Sequence, residues 1–169
     1  ILGDLFSSLA IYFDKPFKAG DFIAVGDKVG TVKRVGIKTT RIDSLQGEEI
    51  IMSNTDLTNS RVQNFGCMDK RRVAFSIGVS YVTPSDKIKK IPAMIKEIIS
   101  KQDNLESDRV NFKEFGDSSL SYEIVYYIAS SDYNEYMDAQ EKINLEIVDQ
   151  FRQNDIEIAY PTRTVYIKK

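Results

Sequence analysis

The stretch Phe13-Asp14-Lys15-Pro16-Phe17-Lys18-Ala19-Gly20-Asp21-Phe22-Ile23 separates an apolar N-terminal segment from a region of short strands. Pro16 has no backbone N–H and disfavours helical geometry at the residue before it, so a helix entering this stretch ends at Lys15. The pair Gly20-Asp21 favours a turn ahead of the first strand. The stretch therefore predicts a junction between a helix and a sheet, with the rest of the chain arranged on its two sides.

The segment upstream of this junction has apolar residues at the three- and four-residue spacing of one helix face. They are Leu2, Leu5, Phe6, Leu9, Tyr12 and Phe13. Burying one large apolar side chain contributes roughly 1.5–3 kcal/mol, so such a face requires a cover. Residues 1–13 are too few to cross a bilayer, which takes about 20 residues.

The chain opens on Ile1 rather than on Met, and we expect residues 1–15 to be the end of a longer hydrophobic helix. Its packing residues are predicted to be Leu2, Leu5, Phe6 and Leu9. An amphipathic helix that packs on this chain's own core is the alternative.

Composition indicates an ordinary globular protein, because 42% of the residues are hydrophobic and 28% are charged. The net charge of −2 gives no reason to expect a nucleic-acid partner. There is no histidine and one cysteine, which excludes Ser-His-Asp and Cys-His catalysis and an intrachain disulfide. We predict no catalytic site, no metal and no cofactor.

Residues 16–66 read as short strands joined by tight turns, which favours a small β-barrel or sandwich. Gly47 is placed for positive φ in a hairpin turn, and Ser53 begins a turn that caps a short helix. The expected strands are 22–25, 29–35, 37–42, 49–52 and 61–65.

The pattern changes at residues 66–70, and residues 67–169 follow the order β-α-β-β-α-β of the split βαβ arrangement. Both helices are expected on one face of an antiparallel sheet. Thr83 is predicted to be the N-cap of the first helix, and Met137 is predicted to face the core from the second. Thr164 to Ile167 is predicted to be a final strand.

Several separated motifs resemble the signature of small-conductance mechanosensitive channels, the MscS-like family. The motifs are Asp14 to Asp21, Gly30-Thr31-Val32, Thr39-Thr40-Arg41, Ile51 to Asn54, Val62 to Phe65 and Ala159-Tyr160-Pro161. The resemblance covers essentially the whole chain. Ser7-Ser8 is a departure, since many members have small apolar residues there.

The resemblance implies an α+β chain in three parts. Residues 1–15 would be the end of the last, pore-lining transmembrane helix, and residues 16–66 an Sm-like β-domain. Residues 67–169 would be a ferredoxin-like α/β-domain of a cytoplasmic vestibule, with strand 164–167 in a barrel that closes its floor.

Members of that family are inner-membrane channels that open under bilayer tension and release ions and osmolytes in hypo-osmotic shock. They are homo-oligomers, typically heptamers, and contact the lipid bilayer through helices upstream of the part seen here. We hypothesise that Pro16, Phe17 and Gly20 form the joint between helix and β-domain, with the Phe17 ring buried. The alternative function is a soluble Sm-like and ferredoxin-like module that binds protein or RNA.

Overall fold

The computed structural model describes residues 2–167, without the side chains of Leu2, Asp4 and Leu5. The chain divides into two compact units, Ile1–Met68 and Asp69–Lys169.

The first unit is a five-stranded antiparallel sheet preceded by a helix. Its sheet has the strand order β4-β3-β2-β1-β5, and a short helix connects β4 with β5. The elements are α1 (Leu2–Asp14), β1 (Phe22–Val25), β2 (Lys28–Val35), β3 (Thr39–Ser44), β4 (Glu49–Ser53), α2 (Asn54–Asn59) and β5 (Val62–Asn64).

Local sequence explains the turns of this unit. Gly47 has a φ of 100°, which confirms the predicted hairpin turn. Ser53 is the N-cap of α2, since its Oγ accepts a hydrogen bond of 3.0 Å from the Asp56 amide. Gly30 allows β2 and β3 to approach closely, because a Cβ there would lie 2.4 Å from the Asp43 carbonyl oxygen.

The second unit packs two helices on a three-stranded antiparallel sheet of order β6-β8-β7. Its elements are β6 (Arg71–Val79), α3 (Ser85–Ser100), β7 (Leu105–Phe115), β8 (Leu120–Ile128) and α4 (Tyr133–Gln153). The core joins helix residues such as Ile95 and Ile147 to sheet residues such as Tyr122 and Ile124.

The fourth strand of the split βαβ arrangement is reduced to one antiparallel bridge between Val79 and Ile158. Two backbone hydrogen bonds support it: the Ser80 amide donates to the Glu157 carbonyl at 3.0 Å, and the Ala159 amide donates to the Gly78 carbonyl at 2.9 Å. The bridge lies on the β6 side of the sheet, which gives the strand order expected for this arrangement. The predicted α+β fold is confirmed.

Within the described residues Thr164–Ile167 has no hydrogen-bonded neighbour, so the strand predicted there stays a prediction. Two other local predictions for this unit are wrong. The N-cap of α3 is Pro84 rather than Thr83, and no side chain caps it. Met137 is 43% exposed, because the core-facing side of α4 passes through Ile143, Ile147 and Phe151.

Burial of Tyr126 predicts a specific loss of stability at high pH. Its hydroxyl donates to Gln140 Oε1 at 3.0 Å, and burial raises the pKa of Tyr126 from 10.0 to about 12. The unfolded chain therefore loses this proton near pH 10 while the folded chain keeps it. The stabilisation is complete below pH 10, and we expect the free energy of unfolding to fall between pH 10 and about 12.

The measurement is urea unfolding at a series of pH values. The variant Tyr126→Phe should flatten this part of the profile, whereas Tyr166→Phe, at a site that is 91% exposed, should leave it unchanged. Equal profiles for the wild type and Tyr126→Phe would contradict the assignment.

Candidate functional site: the junction of α1 and the β-domain

Helix α1 ends at Asp14, and the next residue reverses the backbone. Lys15 has a φ of 46°, in the left-handed region, and its amide donates to the Ile11 carbonyl at 3.0 Å. This is the αL form of helix end, in which one such bond satisfies a terminal carbonyl. Pro16 follows directly, so both residues stop the helix where the sequence predicts.

Two apolar side chains anchor the end of α1 in the β-domain. Ile11, from the last turns of the helix, and Phe17, just beyond it, are each 2% exposed. They belong to one buried cluster whose other members are Ile23, Val25, Val32, Ile42 and Leu57. The helix end is therefore part of the β-domain core.

The apolar face predicted from the sequence lies on the other side of the helix. Phe6 is 68% exposed and Leu9 is 42% exposed, and Tyr12 and Phe13 are exposed as well. The side chains of Leu2 and Leu5 lie outside the described residues. The helix thus packs on this chain's core through Ile11, which sequence reasoning missed because it stands apart from the apolar stripe. The described part of the stripe, from Phe6 to Phe13, is left uncovered by the described residues.

A buried polar cluster around Asn54 ties the middle of α1 to the β-domain. Asn54 and Thr40 are fully buried, and Thr40 Oγ1 donates to Asn54 Oδ1 at 2.8 Å. Asn54 Nδ2 donates to the Gly36 carbonyl at 2.8 Å and to Ser8 Oγ at 3.0 Å. All hydrogen-bonding atoms of the Asn54 carboxamide are thereby satisfied, as burial requires.

The serine pair of α1 explains how the helix approaches so closely. Ser8 also donates to the Ile37 carbonyl, and Thr58 Oγ1 donates to Ser7 Oγ at 3.0 Å. Small side chains allow this approach, and their hydroxyls bind the groups they meet. The departure seen at Ser7-Ser8 in the sequence is therefore a polar contact between α1 and the β-domain.

A second polar pair, Asp21 and Asn64, binds the chain just after the helix end. The Asp21 side chain is almost wholly buried, and its Oδ2 accepts hydrogen bonds from the Lys18 amide at 3.1 Å and from Asn64 Nδ2 at 2.8 Å. Asn64 Nδ2 also donates to the Pro16 carbonyl at 2.9 Å. The pair thus fixes the chain on both sides of Phe17.

The structure places the three predicted joint residues as follows. Pro16 is exposed and offers its carbonyl to Asn64, whereas Phe17 is buried. Gly20 has a φ of 95°, and its amide donates to the Val32 carbonyl at 2.8 Å. Sequence reasoning quoted Asp21, Asn54 and Asn64 within motifs but assigned them no role, since their contacts join residues far apart in the chain.

A groove of about 730 Å³ runs beside the junction. Its walls are apolar at Leu9, Tyr12 and Ile37. Three cationic side chains line it without a carboxylate partner among the described residues, namely Lys15, Lys18 and Arg34. Lys33 also lines the groove but pairs with Asp43 and Glu49, each at 3.2 Å.

Neither a metal centre nor a bilayer-spanning helix is found in the part of the chain that the structure describes. Across residues 2–167 no three His, Cys, Asp or Glu side chains are grouped so that they could hold a metal ion. No helix in that range has the length and apolar character needed to cross a membrane.

Comparison with known proteins identifies the family. Residues 1–66 match the family model for the β-domain of mechanosensitive ion channels, and residues 73–158 match the model for the C-terminal part of the mechanosensitive channel MscS. The chain belongs to the MscS family. That family is one of ion channels and not an enzyme class.

Relatives within the MscS family include two channels of Methanocaldococcus jannaschii, each 37% identical. They are the large-conductance mechanosensitive channel MscMJLR, over 100% of this chain and 48% of the relative, and the small-conductance channel MscMJ, over 96% and 47%. The low conductance mechanosensitive channel YnaI of Escherichia coli is 29% identical over 99% of this chain and 50% of its own length. The chain spans about half the length of these relatives.

Solved structures of MscS-family proteins share the fold. The cryo-EM structure of Arabidopsis thaliana MSL1 has a TM-score of 0.84 at 22% identity, over 96% of this chain and 59% of that one. The closed-state crystal structure of Helicobacter pylori MscS has a TM-score of 0.79 at 24% identity, over 99% and 66%.

Stability measurements test the anchoring role of Phe17 against an exposed phenylalanine four residues away. We expect Phe17→Ala to lower the free energy of unfolding by about 3–5 kcal/mol, because it leaves a cavity in a packed core. Phe13→Ala, at a site that is 74% exposed, should change it by less than about 0.5 kcal/mol. Urea unfolding monitored on the first unit distinguishes them, and equal losses would show that Phe17 is no anchor.

Proposed function

We propose that this chain is the cytoplasmic portion of a mechanosensitive ion channel that opens under membrane tension. The complete channel would release ions and osmolytes during hypo-osmotic shock. In this proposal α1 is the end of the pore-lining helix, the first unit is the membrane-proximal β-domain, and the second unit is part of the vestibule. Membership of the MscS family supports this assignment, as do the names of the relatives.

One observation carries the proposal: one face of α1 is fixed on the β-domain, and the other is exposed. Its end is fixed in the β-domain core through Ile11, next to the buried Phe17. Its apolar face, represented by Phe6 and Leu9, is left uncovered in this chain. A helix held at Ser8 and at its end, but open along the other face, is able to change the tilt of its upstream part when upstream helices are pulled by tension. Pro16, Phe17 and Gly20 would then act as the joint.

Assembly of several copies would cover the unpaired sheet edges and exposed apolar side chains of the first unit. Strands β4 and β5 are the two edges of its sheet in the described chain, and Ile51 on β4 is 56% exposed. Pairing of edges between neighbouring copies in a closed ring leaves no free edge. We propose a homo-oligomeric ring, and a heptamer by resemblance to the family. The exposed segment 164–167 would find its strand partners in the same assembly.

The position at a membrane fits the charge of the groove beside α1. Lys15, Lys18 and Arg34 form no ion pair with a carboxylate of the described residues, and they lie next to apolar walls. Cations beside exposed apolar side chains suit the cytoplasmic surface of a bilayer, whose lipid headgroups are partly anionic. We therefore place the parent protein in the inner membrane, with this part on the cytoplasmic side and with bilayer contact through the upstream helices.

The alternative function, a soluble Sm-like and ferredoxin-like module that binds protein or RNA, is not favoured. Both units match models of channel domains, in the order in which channels carry them. The net charge of −2 also gives no electrostatic basis for binding RNA.

Recordings of the full-length channel in membrane patches test the joint. We expect Phe17→Ala to shift the tension threshold for opening, because the cavity loosens the end of α1 on the β-domain. The control is Ile42→Ala, which truncates a residue of the same core on β3 and outside the stretch 13–23. It should leave the threshold close to that of the wild type.

An unchanged threshold in Phe17→Ala, at normal expression in the membrane, would contradict the joint. Equal shifts in both variants would show that general loss of core packing, rather than the joint, controls opening. A wild-type protein without current under tension would contradict the channel function itself.

A further inference from the structure

The carboxamide of Asn64 is shared between the end of α1 and the chain that leaves the β-domain. Nδ2 donates to the Pro16 carbonyl at 2.9 Å, directly after the helix. On the other side of the same group, Oδ1 accepts a hydrogen bond of 2.8 Å from the Gly66 amide, where the chain has left β5. One planar group thus holds two chain segments that are fifty positions apart in sequence.

The orientation of this carboxamide is fixed by its neighbours. A flipped group would point Oδ1 at the Pro16 carbonyl and at Asp21 Oδ2, and its N–H groups at the Gly66 amide. Each of the three contacts would then bring together two acceptors or two donors. Nδ2 carries two hydrogens, and its two shortest contacts are to Asp21 Oδ2 at 2.8 Å and Pro16 at 2.9 Å. The contact to Cys67 Sγ, at 3.3 Å, is the longest of the three.

Asp21 holds Asn64 in this position. Asp21 is 5% exposed, and its hydrogen bond to Asn64 is partly buried. Gly66 lies directly against the Asp21 carboxylate, since a Cβ at Gly66 would stand 2.6 Å from Asp21 Oδ1. A shift of Asn64 therefore acts on Gly66 in two ways. It acts directly through the hydrogen bond, and indirectly through the Asp21 carboxylate, which contacts both residues.

We propose that Asn64 is the positioning residue that couples the end of α1 to the chain leaving the β-domain at Gly66. A displacement of the Pro16 carbonyl pulls on Nδ2, and the rigid carboxamide passes the displacement to the Gly66 amide. The coupling is reciprocal, so a change in the departing chain also alters the helix end. The inference rests on the proposed function in one respect, namely that tension is what moves α1.

Hydrogen exchange of two neighbouring amides in the full-length protein tests this coupling without a current measurement. The Gly66 amide is bound to Asn64, whereas the Phe65 amide is bound to the Phe22 carbonyl at 2.9 Å. Opening of the whole β-domain exposes both amides, so the ratio of their exchange rates reports only on the hydrogen bond between the Gly66 amide and Asn64. Phe17→Ala displaces the neighbouring Pro16 and should raise the Gly66 to Phe65 exchange ratio by up to about tenfold, as expected for one hydrogen bond.

The control repeats Phe17→Ala in a second background, a double variant in which the two side chains are exchanged: Asp21→Asn together with Asn64→Asp. Residue 64 then still accepts from the Gly66 amide, and residue 21 supplies the N–H between the two side chains. The Pro16 carbonyl loses its donor, and the Lys18 amide loses its acceptor at residue 21. In this background Phe17→Ala should leave the Gly66 to Phe65 ratio unchanged. Asn64→Asp alone would set two carboxylates against each other, and the double exchange avoids that loss of folding.

Two results would overturn the proposal. One is an equal rise of the exchange ratio in both backgrounds, and the other is no rise in Phe17→Ala itself. Neither result bears on whether the wild-type protein opens under tension, which patch recordings decide separately.

Discussion

The burial of Phe17 together with Ile11 is the interaction on which the first unit depends. Phe17 follows a helix that must end, because Lys15 is left-handed and Pro16 offers no amide hydrogen. Its ring then fills the core of a sheet that begins at Phe22. Since interiors are closely packed, the helix end has little freedom to move away from the sheet without opening a cavity.

Polar contacts fix the orientation of α1 at this apolar anchor. The Asn54 cluster binds α1 at Ser8, and the Asp21–Asn64 pair binds the chain at Pro16 and Lys18. Hydrogen bonds require specific geometry, whereas apolar contacts tolerate sliding. The helix is thus fixed near its end and by one polar face, and its apolar face points elsewhere. This division of faces is what the proposed tilt of α1 requires.

Much of this arrangement follows from local sequence. The helix end at Lys15-Pro16, the turn at Gly47 and the cap at Ser53 each have a short-range cause, and all three are present. The burial of Ile11 and the roles of Asn54 and Asn64 could not be predicted, because their partners are brought together by the folded sheet. Asn64, for example, meets Pro16 across 48 positions in the chain. The strand at Thr164–Ile167 stays a prediction for a related reason, since a strand is defined by a neighbour that the local sequence does not contain.

Distances within α1 and the β-domain under tension test the central claim most directly. Spin labels at Gly3 and at Phe13 would each be paired with a label at the exposed Leu45, in full-length protein that carries Cys67→Ser and is diluted with unlabelled subunits. The account predicts that the distance from Gly3 changes between relaxed and stretched membranes, while the distance from Phe13, beside the anchor, stays constant. A matching change in both distances would mean that the helix leaves the sheet as a unit and would contradict the anchor. Two unchanged distances would contradict the tilt.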